Sequence, residues 1–162
     1  MPHAKTSAVN PASIRTVILW LHAIGGVAWI GAATVFVIGA SASGVDDDAG
    51  LTIVRRIAPA IDRIGLGAML FIIASGVVNI YVAGTMRNFA FSNAFVELLA
   101  LKIAALGGMF VMLTLSWRAE PALASRDAVV ARRAARRLIN FNLAVITLGG
   151  AALLMGLWLL GS

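Results

Sequence analysis

The chain contains no cysteine. Disulfides, thiolate metal sites and thiol nucleophiles are therefore excluded, and a copper site would have to use histidine, methionine or backbone ligands. Charged residues are also scarce, at 12% of the 162 residues, whereas hydrophobic residues make up 60%. A soluble domain of this size carries more charge and shorter apolar runs, so the composition indicates a membrane protein.

Four long apolar runs fill most of the chain. A membrane-spanning helix needs about 20 apolar residues, because the hydrocarbon core is roughly 30 Å thick. Backbone polar groups must be paired inside lipid, so each run is expected to be helical. We predict an all-α fold, an integral membrane four-helix bundle that forms one membrane domain over residues 14–160 after a polar tail at 1–13. The predicted helices are Ile14–Ala40, Ile64–Ala83, Phe95–Trp117 and Leu138–Leu160.

The first run also has features of a secretory signal peptide. Lys5 and Arg15 precede it, and Ala40-Ser41-Ala42 resembles a cleavage site. The apolar region of a signal peptide is about 7–15 residues long, and this run is well over 20, so a membrane span is favoured.

Basic residues predict the orientation of the bundle. The connections after the first and third runs are rich in arginine, whereas the other side of the membrane holds only Lys5, Arg15 and Arg87. Because basic residues accumulate on the cytoplasmic side, both termini are expected on the periplasmic side of a bacterial inner membrane. The arginines of the two connections are Arg55, Arg56, Arg63, Arg118, Arg126, Arg132, Arg133, Arg136 and Arg137.

Two charged segments lie in these connections. The segment Arg126–Arg137 is predicted to be a short basic helix that leads into the fourth span, and we expect anionic lipid headgroups to contact it. Nucleic acid is a poorer partner, because the arginines flank spans and have no soluble scaffold. The acidic triplet Asp46-Asp47-Asp48 is typical of a solvated loop, although three carboxylates can also hold a hard cation.

Polar residues inside the spans are the main functional signal. Ionisable side chains in a membrane cost on the order of 3 kcal/mol each, so they usually face inward and serve a function. His22 lies about eight residues, or roughly 12 Å, into the first span. Lys102, Asn79 and Met155 lie seven, four and five residues from the ends of their spans on the same side. A set of polar groups is therefore expected in the half of the bundle near the termini.

The spacing around His22 predicts one helix face. His22, Gly25, Gly26 and Trp29 follow at intervals of three and four residues, so the glycines would leave a groove between an imidazole and an indole. Such glycines also serve close helix packing. On the other spans, Ser75, Gly76 and Asn79 share one face, and Lys102 shares a face with Met109. Asn79 is expected to form an interhelical hydrogen bond, and Lys102 either reaches the surface or pairs with Glu97.

At these residues the sequence resembles the copper-resistance D (CopD) type of bacterial membrane domain. The resemblance covers roughly residues 14–160 and implies copper transport or tolerance, with His22 as the first candidate ligand and Lys102 as a second polar site. A single intramembrane histidine would need Met109, Met155 or a second protomer to complete a copper site. The motifs are Leu21-His22-x-x-Gly25-x-x-x-Trp29-x-Gly31, Ser75-Gly76-Val77-Val78-Asn79, Leu101-Lys102, and Arg136-Arg137 with Asn142-Leu143.

The chain is also similar to the HemJ type of protoporphyrinogen oxidase, a compact four-helix membrane family associated with haem b. His22 and Lys102 match the histidine of its first span and the lysine of its third span. The proline-arginine continuation expected after the first tryptophan is absent, and the chain reads Ile30-Gly31-Ala32-Ala33-Thr34. This resemblance implies a haem b-binding oxidoreductase in which the imidazole is an axial ligand.

Three functions are therefore open at this point. The first is copper transport or tolerance, the second is haem-dependent oxidoreduction, and the third is a structural subunit that assembles with itself or with a membrane partner. Hydrolase chemistry has no support, because the spans hold no paired Ser, His and Asp and no phosphate-binding loop.

Overall fold

The computed structural model describes residues 11–161 and the side chains of residues 13–158. Its four long helices are joined by short connections, the last of which contains a 3-10 helix at Glu120–Ala124. No strand occurs within residues 11–161. The polar tail expected at 1–13 lies mostly outside the described residues. The helices are α1 (Pro11–Ala42), α2 (Asp48–Met86), α3 (Asn93–Ala119) and α4 (Ala128–Gly161).

The four predicted spans are all present as helices. Two of them begin earlier than the apolar runs indicated, with α2 starting at Asp48 rather than Ile64 and α4 starting at Ala128 rather than Leu138. Arginine is a good helix former, so a helix can extend beyond the apolar residues into a segment rich in arginine. Pro59, which precedes the predicted second span, lies inside α2. The basic segment before the fourth span is thus the beginning of α4 itself.

Each helix contains a stretch long and apolar enough to cross a membrane. Large apolar side chains also cover the outside of the bundle, with Trp20, Val35 and Leu154 each about two-thirds exposed at 68%, 66% and 68%. Soluble monomers rarely expose so much apolar surface, whereas lipid tails can cover it. The chain is a multi-pass membrane protein with an all-α, four-helix bundle fold.

Contacts at small residues define the antiparallel register of the helices. A Cβ at Gly25 of α1 would lie 2.9 Å from the Phe71 ring of α2, and one at Gly108 of α3 would lie 2.9 Å from Leu148 of α4. Gly26 of α1 similarly faces a side chain of α4. Because α1 begins and α4 ends at the same end of the bundle, we call it the termini end. The other end, which holds the first and last connections and the helix ends that carry most of the arginines, is the arginine-rich end.

The core is divided into two groups of buried side chains. One group surrounds Trp29, Met69 and Met109 in the middle of the bundle. The other lies toward the arginine-rich end, where Phe36 and Leu138 are fully buried among alanines. The alanines let the helices approach closely here, as small residues do in membrane bundles.

Three consecutive aspartates at the junction of the first connection and α2 contact residues at the arginine-rich end. Asp46 pairs with Arg136 over 2.6 Å, and Asp48 lies 3.9 Å from Arg132. Asp47 caps α2 by accepting the amide of Gly50 over 2.6 Å. Each residue of the acidic triplet therefore has a protein partner.

The same contacts bear on the basic segment at the start of α4. Like charges one turn apart repel. Asp46 and Asp48 lie within ion-pair distance of Arg136 and Arg132, which lessens this repulsion. Arg133 and Arg137 remain exposed.

Candidate functional site

His22 is held by a hydrogen bond between α1 and α2. The Nδ1 atom of His22 lies 2.9 Å from the Ser75 hydroxyl oxygen, and that hydroxyl lies 2.7 Å from the carbonyl of Phe71. A serine hydroxyl has one proton, and a carbonyl can only accept. The hydroxyl therefore donates to Phe71 and accepts from Nδ1–H. This arrangement leaves the lone pair of Nε2 available for a ligand.

A glycine lets the imidazole approach α2 closely. A Cβ at Gly76 would lie 3.3 Å from Cε1 of His22 and 3.7 Å from Nδ1. The adjacent pair Ser75 and Gly76 thus supplies both the hydrogen-bond acceptor and the space for the ring. The sequence placed the two residues on one face of the second span, and the structure places that face against His22.

Asn79 lies one turn beyond Ser75 toward the termini end. Its Oδ1 atom is buried and has no hydrogen-bond partner among the side chains that the structure describes. A buried acceptor without a partner costs about 1–3 kcal/mol, which is a reason to look for a ligand nearby. The interhelical hydrogen bond expected for this residue does not form at Oδ1.

Lys102 of α3 reaches across to α4. A Cβ at Gly156 would lie 2.9 Å from the lysine Nζ, so the ammonium group rests against the backbone of α4. Neither ion pair found among the described side chains involves Lys102 or Glu97. The ammonium group is close enough to His22 for the two side chains to interact electrostatically. We call His22, Ser75, Asn79 and Lys102 the histidine cluster.

The glycines beside His22 are packed against other helices. Phe71 fills the space at Gly25, and a Cβ at Gly26 would lie 3.6 Å from Leu153. Trp29 is 3% exposed and belongs to the core in the middle of the bundle. The groove expected between imidazole and indole is therefore occupied by side chains, and the glycines serve helix packing.

The two methionines suggested as further ligands lie at different depths. The Met109 side chain and the Ile30 side chain both contact Gly149, so Met109 is level with Ile30. Ile30 is eight residues along α1 from His22, which corresponds to about 12 Å. Met155 precedes Gly156, the residue that contacts Lys102, and is thus level with the histidine cluster.

A second polar group, of which the sequence motifs include only Asn142, lies toward the arginine-rich end. Asp62 of α2 is 5% exposed, and the hydroxyl of Ser116 in α3 lies 3.0 Å from each of its carboxylate oxygens. Asn142 of α4 is also buried and lines the same cavity of about 10 Å³. We call Asp62, Ser116 and Asn142 the aspartate cluster.

One pattern in the sequence does mark Asp62. The buried residues of α2 recur at intervals of three and four, and Asp62 occupies a position in this series between Ala58 and Gly65. Since such a series marks the inward face of a helix, Asp62 was predictable as a buried carboxylate once α2 was extended through Pro59. The neighbouring Arg63 instead favoured a connection between spans. The buried residues in question are Leu51, Val54, Ala58, Asp62, Gly65 and Met69.

Comparisons with family models, curated proteins and solved structures gave no significant match.

Proposed function

We propose that this chain handles copper ions in the bacterial inner membrane, and that the ion binds at the Nε2 atom of His22. The observation that carries the proposal is the hydrogen bond from Nδ1 to Ser75. Histidines that bind metals almost always donate their other ring N–H to a fixed acceptor, which orients the ring and makes it a better ligand. Ser75 would be that acceptor.

A single imidazole makes a weak and exchangeable site, which suits transport better than storage. Met155 is the better second ligand of the two methionines, because it is level with the histidine cluster. Thioether and imidazole ligands both suit copper. The positive charge of Lys102 opposes a bound cation and would speed its release.

The orientation follows from the arginines. The positive-inside rule would place the arginine-rich end in the cytoplasm and both termini in the periplasm. The histidine cluster would then lie in the periplasmic half of the membrane. We also propose that anionic headgroups contact the segment Arg126–Arg137, chiefly at Arg133 and Arg137, which are exposed and have no carboxylate partner among the described side chains.

Haem fits the described residues poorly. A macrocycle on the face of α1 that carries His22 would have to displace Phe71 from Gly25 and Leu153 from Gly26. Trp29 is buried in the core and does not offer a stacking surface beside His22.

Copper binding by the purified protein tests the proposal. Cuprous ion would be titrated against a chromophoric chelator, with wild type, His22→Ala and His3→Ala compared in the same detergent. His3 is the other histidine of the chain and serves as the matched control. We expect His22→Ala to lose the site and His3→Ala to retain it. Equal copper binding by His22→Ala and wild type would refute the proposal.

Replacing Lys102 with leucine, which has no metal-binding atom, distinguishes a cation from an anionic ligand. Removing the ammonium group takes away a positive charge that repels a bound cation, so tighter copper binding is expected. Weaker binding in Lys102→Leu would contradict the proposed role of the lysine. A Soret band in the absorption spectrum that disappears in His22→Ala would establish haem instead, and unchanged metal content with lost assembly would favour a structural subunit.

A further inference from the structure

The aspartate cluster contains a buried carboxylate without a positive partner. Asp62 is 5% exposed, Ser116 is 3% exposed and Asn142 is 7% exposed. Neither ion pair found among the described side chains involves Asp62, although Arg63 is its neighbour in the chain. Glu120 adds a second negative charge within electrostatic range. A carboxylate in such a place needs a cation or a proton to neutralise it.

Among the described residues, Ser116 is the one hydrogen-bond partner of the Asp62 carboxylate. The Ser116 hydroxyl lies 3.0 Å from both carboxylate oxygens, but its one proton serves only one of them at a time. The amide nitrogen of Asn142 donates to the carbonyl of Leu138 over 3.0 Å. The remaining polar atom of the Asn142 side chain is therefore its Oδ1, an acceptor. The polar atoms of the cluster are mostly oxygen acceptors.

These oxygens belong to a cavity to which all four helices contribute. Trp29 of α1 lines it together with the aspartate cluster. Its volume of about 10 Å³ is close to the smallest that holds one water molecule. A cavity of this size accepts one water or one small dehydrated ion.

We propose that the aspartate cluster binds a sodium ion. The ligands are the carboxylate of Asp62, the hydroxyl oxygen of Ser116 and Oδ1 of Asn142, which are the oxygen donors that hard cations prefer. On binding, the Ser116 hydroxyl turns its proton toward a carbonyl of its own helix, so that a lone pair faces the ion. Of the three ligands only Asp62 is a carboxylate, which matches a monovalent ion, whereas divalent cations are usually bound directly by more carboxylates. The site lies away from His22 and does not depend on copper binding.

Sodium-dependent thermal stability tests this site. The melting temperature of the detergent-purified protein would be compared in sodium chloride and in choline chloride at equal ionic strength. Because a ligand that binds only the folded state stabilises it, sodium is expected to raise the melting temperature of wild type by on the order of 5 °C. The increase is expected to disappear in Asp62→Asn and to shrink in Ser116→Ala. Asp48→Asn, which changes an exposed aspartate of the same helix, is expected to keep it.

Binding of radioactive sodium to the same variants provides the second measurement. Asp62→Asn imitates the protonated acid, so it is expected to fold in choline chloride and to bind no sodium. Equal melting temperatures of wild type in the two salts, with no bound sodium, would overturn the proposal and leave a proton or a water in the cavity. Sodium binding that survives in both Asp62→Asn and Ser116→Ala would also overturn it, because the ion would lie elsewhere.

Discussion

Gly50 provides the sharpest test of how the arginine-rich end is packed. It lies in the first turn of α2 directly against the beginning of the first connection. A Cβ at this position would overlap the carbonyl oxygen of Gly44, and would lie 2.6 Å from the carbonyl carbon of Gly44 and 2.7 Å from the carbonyl oxygen of Ser43. These are backbone atoms, so no side chain can rotate away to relieve the contact. Gly44 itself has a φ of +68°, which other residues rarely adopt.

Gly50→Ala is therefore expected to destabilise the protein in two ways. Forcing an extra methyl group into a packed site costs about 1–3 kcal/mol. Moving α2 away from the connection also strains the bond from the Gly50 amide to Asp47, and a lost helix cap costs about 1 kcal/mol. The sum of about 2–4 kcal/mol corresponds to a melting temperature lower by about 5–15 °C for a chain of this length.

The assay is thermal unfolding in detergent, followed by tryptophan fluorescence. Gly67→Ala is the matched control, because Gly67 is in the same helix and no atom lies within 4 Å of its hypothetical Cβ. Alanine there is expected to leave the melting temperature unchanged or slightly higher. If the melting temperatures of Gly50→Ala and Gly67→Ala differed by less than about 2 °C, the first connection would not approach α2 as closely as described.

Two further variants test other contacts. Asp46→Asn removes the pair with Arg136, but both side chains are well exposed at 70% and 63%, so the expected loss is below about 1 kcal/mol and should vanish at high salt. A melting temperature that drops by more than about 5 °C would show that this pair matters far more than its exposure implies. Gly65→Ala would place a methyl group 2.8 Å from Nε1 of Trp29. The indole is expected to move, and a change in its fluorescence emission relative to wild type measures this, whereas an unchanged spectrum would contradict the contact.

The four helices were predictable because lipid imposes a strict length on apolar runs and leaves the backbone no alternative to a helix. The ends of α2 and α4 were not predictable in the same way. Apolar runs end where lipid ends, but a helix ends where its hydrogen bonds and caps end. The Asp47 cap lies far before the apolar part of α2, in a segment whose composition is typical of a polar loop.

The candidate site was predictable only in part. The depth of His22 and Lys102 in their spans indicated a functional role. The spacing of Ser75, Gly76 and Asn79 indicated that they share one face of the second span. Their contacts could not be derived, because they depend on the register between helices, and a shift of one turn would replace Ser75 by Phe71 or Asn79 opposite His22. The same register determines that Phe71 and Leu153 fill the space beside Gly25 and Gly26.

The separation of the two clusters restricts any mechanism. Ser75 and Asp62 lie on the same helix, about 20 Å apart along its axis. Between them the bundle is closed by Trp29, Met69, Met109 and Val145, all of which are nearly or fully buried. An ion bound at His22 therefore has no polar path to Asp62 through the packed core. Passage of copper along this bundle would require the helices to separate around Trp29, whereas binding at either cluster would not. The two clusters are thus expected to bind their ions independently, and Asp62→Asn should leave the copper affinity of the histidine cluster unchanged.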